Sequence, residues 1–378
     1  MDKKLLSKNY ILTVISATLF YTGAFMLNSV CGRYSMDIGG SKTVAGFVVC
    51  AFTLASFFTR PVWGWYTDRY SRRWVCIGGG ILCVISVVLL LFTDKITVLI
   101  LSRIIFGCGY SSLTTAAATV VCDVVTDDKL QQAISVYGVT NVLSQAVAPA
   151  AALWLYDYKY IYLVIVVLIL TALVPILFFF IRYDENNFIS SDKKFEIYEK
   201  TALPSAYTII FFALSASSVN SFIPVFAKEN GIQGDSWFFI VSAIFLLTTR
   251  LFNTEITDRF GESKVFYTGD IIYISAFITL SFSGNLFLFL LAAALYGTGA
   301  GFIHPIVNTA AVKNCSRNRR GLATGTFMMS QDLGMTIGAI SWGFISEKAG
   351  FTAVYLIVSI LLLVMMYVFR RFLAGLLE

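Results

Sequence analysis

Stretches of about twenty residues with few or no charges recur along the whole chain, and they constrain its fold more than any other feature. Residues 9–32, 43–59, 74–93, 104–122, 130–156 and 160–181 form a first set. Residues 201–227, 236–249, an apolar block at 265–312, 321–346 and 349–369 form a second. The turn Ser283-Gly284-Asn285 divides the block, which makes twelve segments in all. Hydrocarbon offers no water to the backbone, so segments of this length are expected to cross a bilayer as helices. The fold class expected is therefore an all-α membrane protein. The first segment follows Met-Asp-Lys-Lys but runs 24 residues without a charge, too long for a signal-peptide core.

Composition agrees: 57% of residues are hydrophobic and 13% charged, against about 25% charged in ordinary soluble domains. Soluble enzyme, disordered, collagenous and disulfide-scaffold classes are excluded together. The formal net charge of +6 is explained by topology, and no nucleic-acid partner is expected. With a cytoplasmic N-terminus, 19 of the 28 Lys and Arg fall on inside segments, six fall outside, and Arg60, Arg103 and Arg250 lie within spans. Basic residues are retained on the cytoplasmic side, so both termini are expected there. Seven cysteines form no CxxC pair and a single histidine is present, so neither a metal site nor a cofactor is expected.

Apart from residues 182–203, which carry mixed charge, all loops are short. The expected organisation is a six-helix bundle at 1–182, a cytoplasmic linker at 183–203 and a second bundle at 204–378. An offset of 190 residues superposes the halves: Thr59-Arg60 on Thr249-Arg250, Thr67-Asp68-Arg69 on Thr257-Asp258-Arg259, and Gly107 and Gly109 on Gly297 and Gly299. Coincidences among Arg, Asp and paired glycines at one offset mark a duplication, with the two bundles as pseudo-symmetric parallel repeats.

This arrangement resembles the major facilitator superfamily. The loop Gly64-Trp65-Tyr66-Thr67-Asp68-Arg69-Tyr70-Ser71-Arg72-Arg73 is similar to that family's signature between spans two and three, with Ser71 in place of the second glycine. The repeat copy keeps Asp258, Arg259, Gly261 and Lys264 but has Thr254 in place of Gly64. The resemblance implies that Asp68, Arg72 and Asp123 form a cytoplasmic latch holding an outward-open state. Arg69, Arg73, Asp258 and Arg259 belong to the same gate region.

Span four reads Leu99-x3-Arg103-x3-Gly107-x-Gly109, similar to the pattern of proton-coupled members. Arg103, Gly107 and Ser111 share one helix face, so a neighbouring helix can approach the charge. Ser135, Ser144, Ala148 and Pro149 on span five, and Gly325, Gly334 and Gly338 on span eleven, match the spacing of the antiporter branch's glycine-rich motif. One copy has lost its glycines and the other its proline, and both remain small-residue packing stripes. Asp332 points away from the Gly334 and Gly338 stripe and is the first candidate for carrying a proton, with Arg103 and His304 as partners in coupling. Asp270 lies on span nine, which in this fold usually faces lipid, and ranks below Asp332. Asn28, Asn141, Gln145, Asn220, Asn308 and Gln331 are candidates for lining a substrate cavity. Uncharged hydrogen-bonding groups among aromatics suit an amphipathic organic molecule.

The function expected is proton-coupled efflux of such a molecule by alternating access, as in the drug:proton antiporter group. The chain would be a monomer in a bacterial cytoplasmic membrane, driven by the proton gradient, with no enzymatic activity. Uptake symport of a sugar or other small metabolite is the alternative, and a non-transporting membrane sensor or partner-binding protein is a second. Span one holds no acid between Asn9 and Gly32, which argues against cationic drugs and leaves room for a dedicated metabolite or metallophore.

Overall fold

The computed structural model describes residues 7–40, 42–92, 95–182, 195–232, 235–313 and 315–377. Of the described residues 91% are helical, and none lies in a strand. It divides into two compact units. The first comprises Met1–Ala133, Tyr137–Glu199 and Ser316–Thr326, and the second Ile134–Val136, Lys200–Cys315 and Phe327–Glu378. Most of the expected linker, residues 183–194, lies outside the described residues.

The first unit holds α1 (Lys8–Asp37), α2 (Lys42–Arg69), α3 (Arg72–Leu89), α4 (Ile96–Val124), nearly all of α5 (Leu130–Tyr158), and α6 (Tyr160–Phe180). Serine hydroxyls begin two of these helices. Ser7 Oγ accepts from the Tyr10 amide at 3.3 Å and Ser71 Oγ from the Trp74 amide at 3.5 Å, each taking up one of the amide donors that a helix start leaves unpaired. The serine at 71, where the family signature has a glycine, thus serves as the cap of α3. Helix α4 packs between α2 and α3. A Cβ at Gly107 would lie 2.9 Å from Ala55 Cβ on α2, and one at Gly109 would lie 2.6 Å from the Gly79 carbonyl on α3. Only glycine admits this approach. Ser86 and Ser102 then join α3 to α4 hydroxyl to hydroxyl at 2.9 Å.

The second unit repeats the plan with α7 (Leu203–Glu229), α8 (Asp235–Phe260), α9 (Glu262–Ser281), α10 (Leu286–Lys313) and most of α11 (Arg320–Val368). Helix α10 packs between α8 and α9. A Cβ at Gly299 would meet Tyr273 Cβ at 2.6 Å, one at Gly301 would meet Thr249 Cβ at 2.7 Å, and one at Gly297 would collide with the Ser242 carbonyl. The glycine pairs that reveal the duplication in sequence are therefore the contact points of both copies. Ahead of α9 the chain turns at Gly261 with φ 88°, where the first copy uses the Ser71 cap. Helix α11 breaks at Gly350 (φ 76°, ψ 171°), a conformation readily accessible only to glycine.

Ten helical stretches are long and apolar enough to cross a membrane among the described residues, where the sequence led us to expect twelve segments. Helix α9 is not among them: Lys264 and Asp270, with its tyrosines, serines and threonines, keep its mean hydropathy low. The last two expected segments count as one because α11 continues through its break at Gly350. Large apolar side chains such as Ile169, Phe287 and Ile340 stand outward and exposed, as a lipid-facing surface requires.

Leucine at Gly109 or Gly299 is expected to destabilise the detergent-purified protein by about 1–3 kcal/mol or more through overpacking. Alanine at Gly284, where an added Cβ meets nothing within 4 Å, is expected to leave the melting temperature unchanged. Thermal unfolding of the three variants checks this.

Candidate functional site

At one end of the first unit, α2, α3 and α4 converge on the segment Ser316–Thr326. Asp68, near the end of α2, accepts from the Gly321 and Leu322 amides at 2.7 and 2.8 Å, capping the first turn of α11 with a full negative charge. Arg72 forms an ion pair with Asp123, lies 3.6 Å from Asp68, and donates to the Arg317 carbonyl at 2.7 Å. Arg320 donates to the Cys122 carbonyl at 2.8 Å, and Arg319 pairs with Glu196 and Glu199. Gly64 admits the approach: a Cβ there would lie 3.1 Å from the Gly321 carbonyl. Gly325 packs the same way, a Cβ lying 3.3 Å from the Arg60 carbonyl.

Asp68, Arg72 and Asp123 are thus brought together, and Arg317, Arg319, Arg320, Glu196 and Glu199 join them. None of those five stood out in sequence. Only their place at the two segments flanking the spans could have pointed to them. Arg69 lies over the Trp65 ring and Arg73 over Trp74 and Phe179. Asp258 and Arg259, the repeat equivalents of Asp68 and Arg69, are both exposed, Arg259 lying over Phe260. Among the described residues they join no such network, and Thr254 stands where the first copy has the close-approach glycine Gly64.

Arg103, on α4, is fully buried. One terminal nitrogen donates to Asn28 Oδ1 on α1, the guanidinium lies 4.5 Å from the centre of the Phe52 ring, and Nε and Nη1 have no hydrogen-bond partner. No acid pairs with it among the described residues. Arg60 on α2 is likewise buried, donates to Thr114 Oγ1 at 3.2 Å and faces the Tyr110 ring.

In the second unit, His304 on α10 has the side chain of Gln331 on α11 beside it and lies within electrostatic reach of Arg250 on α8. The rings of Phe212 and Phe327 flank the imidazole edge-on, at 5.9 and 5.7 Å. Asp332, next to Gln331, is half-buried. Asp270 was expected on a lipid face, but it is fully buried and neither carboxyl oxygen has a hydrogen-bond partner. Helix α9 turns this side chain inward, within electrostatic reach of Tyr273, whose ring lies 5.1 Å from that of Tyr296. Asn141 and Asn308 are half-buried and Gln145 and Asn220 exposed, and none of the four joins these clusters.

The small-residue stripes hold matching helix pairs. Ser144 on α5 meets Thr22 on α1 hydroxyl to hydroxyl at 3.0 Å, with Ala148 buried one turn on, ahead of Pro149. On α11, a Cβ at Gly334 would lie 2.8 Å from Ala213 Cβ on α7, and one at Gly338 would collide with Ser217. Ser135, on α5, is buried.

The family model of the Major Facilitator Superfamily matches residues 13–233 and 205–375. The chain belongs to this superfamily. It is a multi-pass membrane transporter of the cell membrane and not an enzyme. A staphylopine export protein of Staphylococcus aureus is 22% identical, aligned over 94% of this chain and 93% of its own. A multidrug resistance protein of Citrobacter koseri is 26% identical over 39% of this chain and 38% of its own. Among solved structures, a bacterial homologue of the iron transporter ferroportin aligns with a TM-score of 0.82 at 15% identity, over 98% of this chain and 100% of its own. The human organic anion transporter MFSD10 aligns at 0.81 and 14%, over 96% and 99%. At these identities the structures establish a shared fold.

Replacing Asp68 by Asn removes the charge at the start of α11 and leaves one amide facing another N–H. Hydrogen exchange at Gly321 and Leu322 is expected to rise by about ten- to a hundredfold, the worth of a charged hydrogen bond. The same change at Asp258 is expected to leave exchange there unaltered. Mass-spectrometric exchange of the two variants checks the asymmetry.

Proposed function

We propose that this transporter exports a small amphipathic organic molecule in exchange for protons. The observation that carries the direction is the full-length similarity to a staphylopine export protein, and the partial match to a multidrug resistance protein agrees with it. In this reading the chain crosses the membrane twelve times, with α9 and each arm of α11 crossing separately, and both termini are cytoplasmic. It works as a monomer without a cofactor, and the proton gradient supplies the energy.

Each step falls to particular residues. Asp332 takes up and releases the proton as the cavity opens to alternate sides, beside the Gln331–His304 pair. Arg103, held by Asn28 between aromatic rings, sets the electrostatics of the first bundle. The Asp68–Arg72–Asp123 network holds the start of α11 and must open once per cycle, while the small-residue stripes let α5 and α11 slide against α1 and α7. Breaking a buried ion pair costs about 3–5 kcal/mol if nothing replaces it. That is enough to bias a two-state equilibrium strongly.

In proteoliposomes with an imposed pH gradient, substrate is expected to move against the proton flow. Accumulation in the same direction as protons would establish symport and refute this reading. The Asp332→Asn variant is expected to lose proton-driven flux and keep substrate exchange, whereas unchanged proton coupling would remove Asp332 from the mechanism.

A further inference from the structure

Arg250, on α8, is buried within electrostatic reach of His304, and no counter-charge meets it among the described residues. It is 7% exposed, and its Nε is buried without a hydrogen-bond partner. Neither acid within the spans of this unit takes up its charge. The oxygens of Asp270 have no partner at all, and no ion pair joins Arg250 to Asp332 among the described residues. A buried guanidinium without a counter-charge is costly. Such a group is either a defect of packing or half of a pair whose other half arrives from outside.

The surroundings favour the second description. Thr249 is pressed against Gly301 on α10, and Asn253 Nδ2 donates to the Gly301 carbonyl at 3.2 Å. This double contact fixes α8 against α10 and brings Arg250 alongside His304, which lies about one turn beyond Gly301. His304 and Gln331 add an imidazole and an amide, and Phe212 and Phe327 wall the imidazole on two sides. A planar cationic fork, neutral donors beside it and aromatic walls form the donor set that receives a carboxylate attached to an apolar body. The first unit keeps an arginine at the equivalent station, Arg60, also buried, with Thr114 and the Tyr110 ring as neighbours. After duplication the acids at 68 and 258 took different environments, yet both copies retained this basic group inside a span.

We propose that the second unit carries a carboxylate-binding subsite, in which the guanidinium of Arg250, with His304 and Gln331 beside it, receives an organic anion as the transported molecule. The subsite rests on the transport reading above and names the substrate's chemical class.

The test uses the full-length protein in detergent, titrated with carboxylates and their methyl esters in matched pairs: N-acetylphenylalanine, glutarate and citrate, with inorganic phosphate as a further arm. A ligand that binds only the folded protein raises its melting temperature with concentration. At least one carboxylate is expected to stabilise the wild type where its ester does not. Arg250→Gln is expected to weaken that response by about ten- to a hundredfold, the loss of charged hydrogen bonds. Arg250→Lys keeps the charge without the fork and is expected to retain part of the response, which separates lost binding from lost folding. Gln331→Ala is expected to weaken it less. The proposal is overturned if esters match their acids, if phosphate alone stabilises, if no carboxylate acts, or if Arg250→Gln responds as the wild type does. Flux in proteoliposomes separates the two readings. Carboxylate binding that depends on Arg250, without proton-driven flux, removes the exporter and leaves the subsite. Proton-driven flux of cationic or neutral compounds, unaffected by Arg250→Gln, does the reverse.

Discussion

Helices surrounded by lipid gain nothing by burying leucine against leucine, since the hydrocarbon outside is as apolar as the protein within. Cohesion has to come from backbones that approach closely enough for dispersion, and from polar groups that find each other where water cannot reach them. The glycines of α4 and α10 supply the first and serine pairs such as Ser86 and Ser102 the second. Helices α2 and α3 flank α4, which carries Arg103, and α8 and α9 flank α10, which carries His304.

The same exclusion of water makes each interior charge informative. Asp68, Arg72 and Asp123 answer one another and the first amides of α11, so that cluster is satisfied. Arg103 is answered in part, by Asn28 and the face of Phe52. Arg250 and Asp270 are not answered by any described residue. This gradation separates a satisfied clasp from interior charges that the described residues leave unanswered.

The duplication was legible because charge is excluded from hydrocarbon, so acids, arginines and glycine pairs stand out against an apolar background and align at one offset. Its divergence was not legible. Asp68 and Asp258 look equivalent in one dimension, yet the first caps a helix and the second is exposed. The first copy has a glycine four residues upstream that lets the start of α11 come within hydrogen-bonding distance, and the second copy has Thr254 there. Arg60 and Arg250 were visible as charges within spans at matching positions, but their neighbours come from other helices, which only the fold brings beside them. The usual facing of its span points Asp270 toward lipid, whereas the side chain is buried beside Tyr273.

By itself, the sequence determined the solvent of this protein, the helical class, the number of charges admitted to the interior and the twofold plan, because all of these follow from the cost of putting polar groups into hydrocarbon. Only the tertiary structure decided which charges meet. Contacts such as Asp68 with the amides of Gly321 and Leu322, or His304 with Gln331, join residues far apart in the chain, and their formation depends on fractions of an ångström between helix backbones. That spacing is set by packing on all sides at once, which no local pattern of residues encodes.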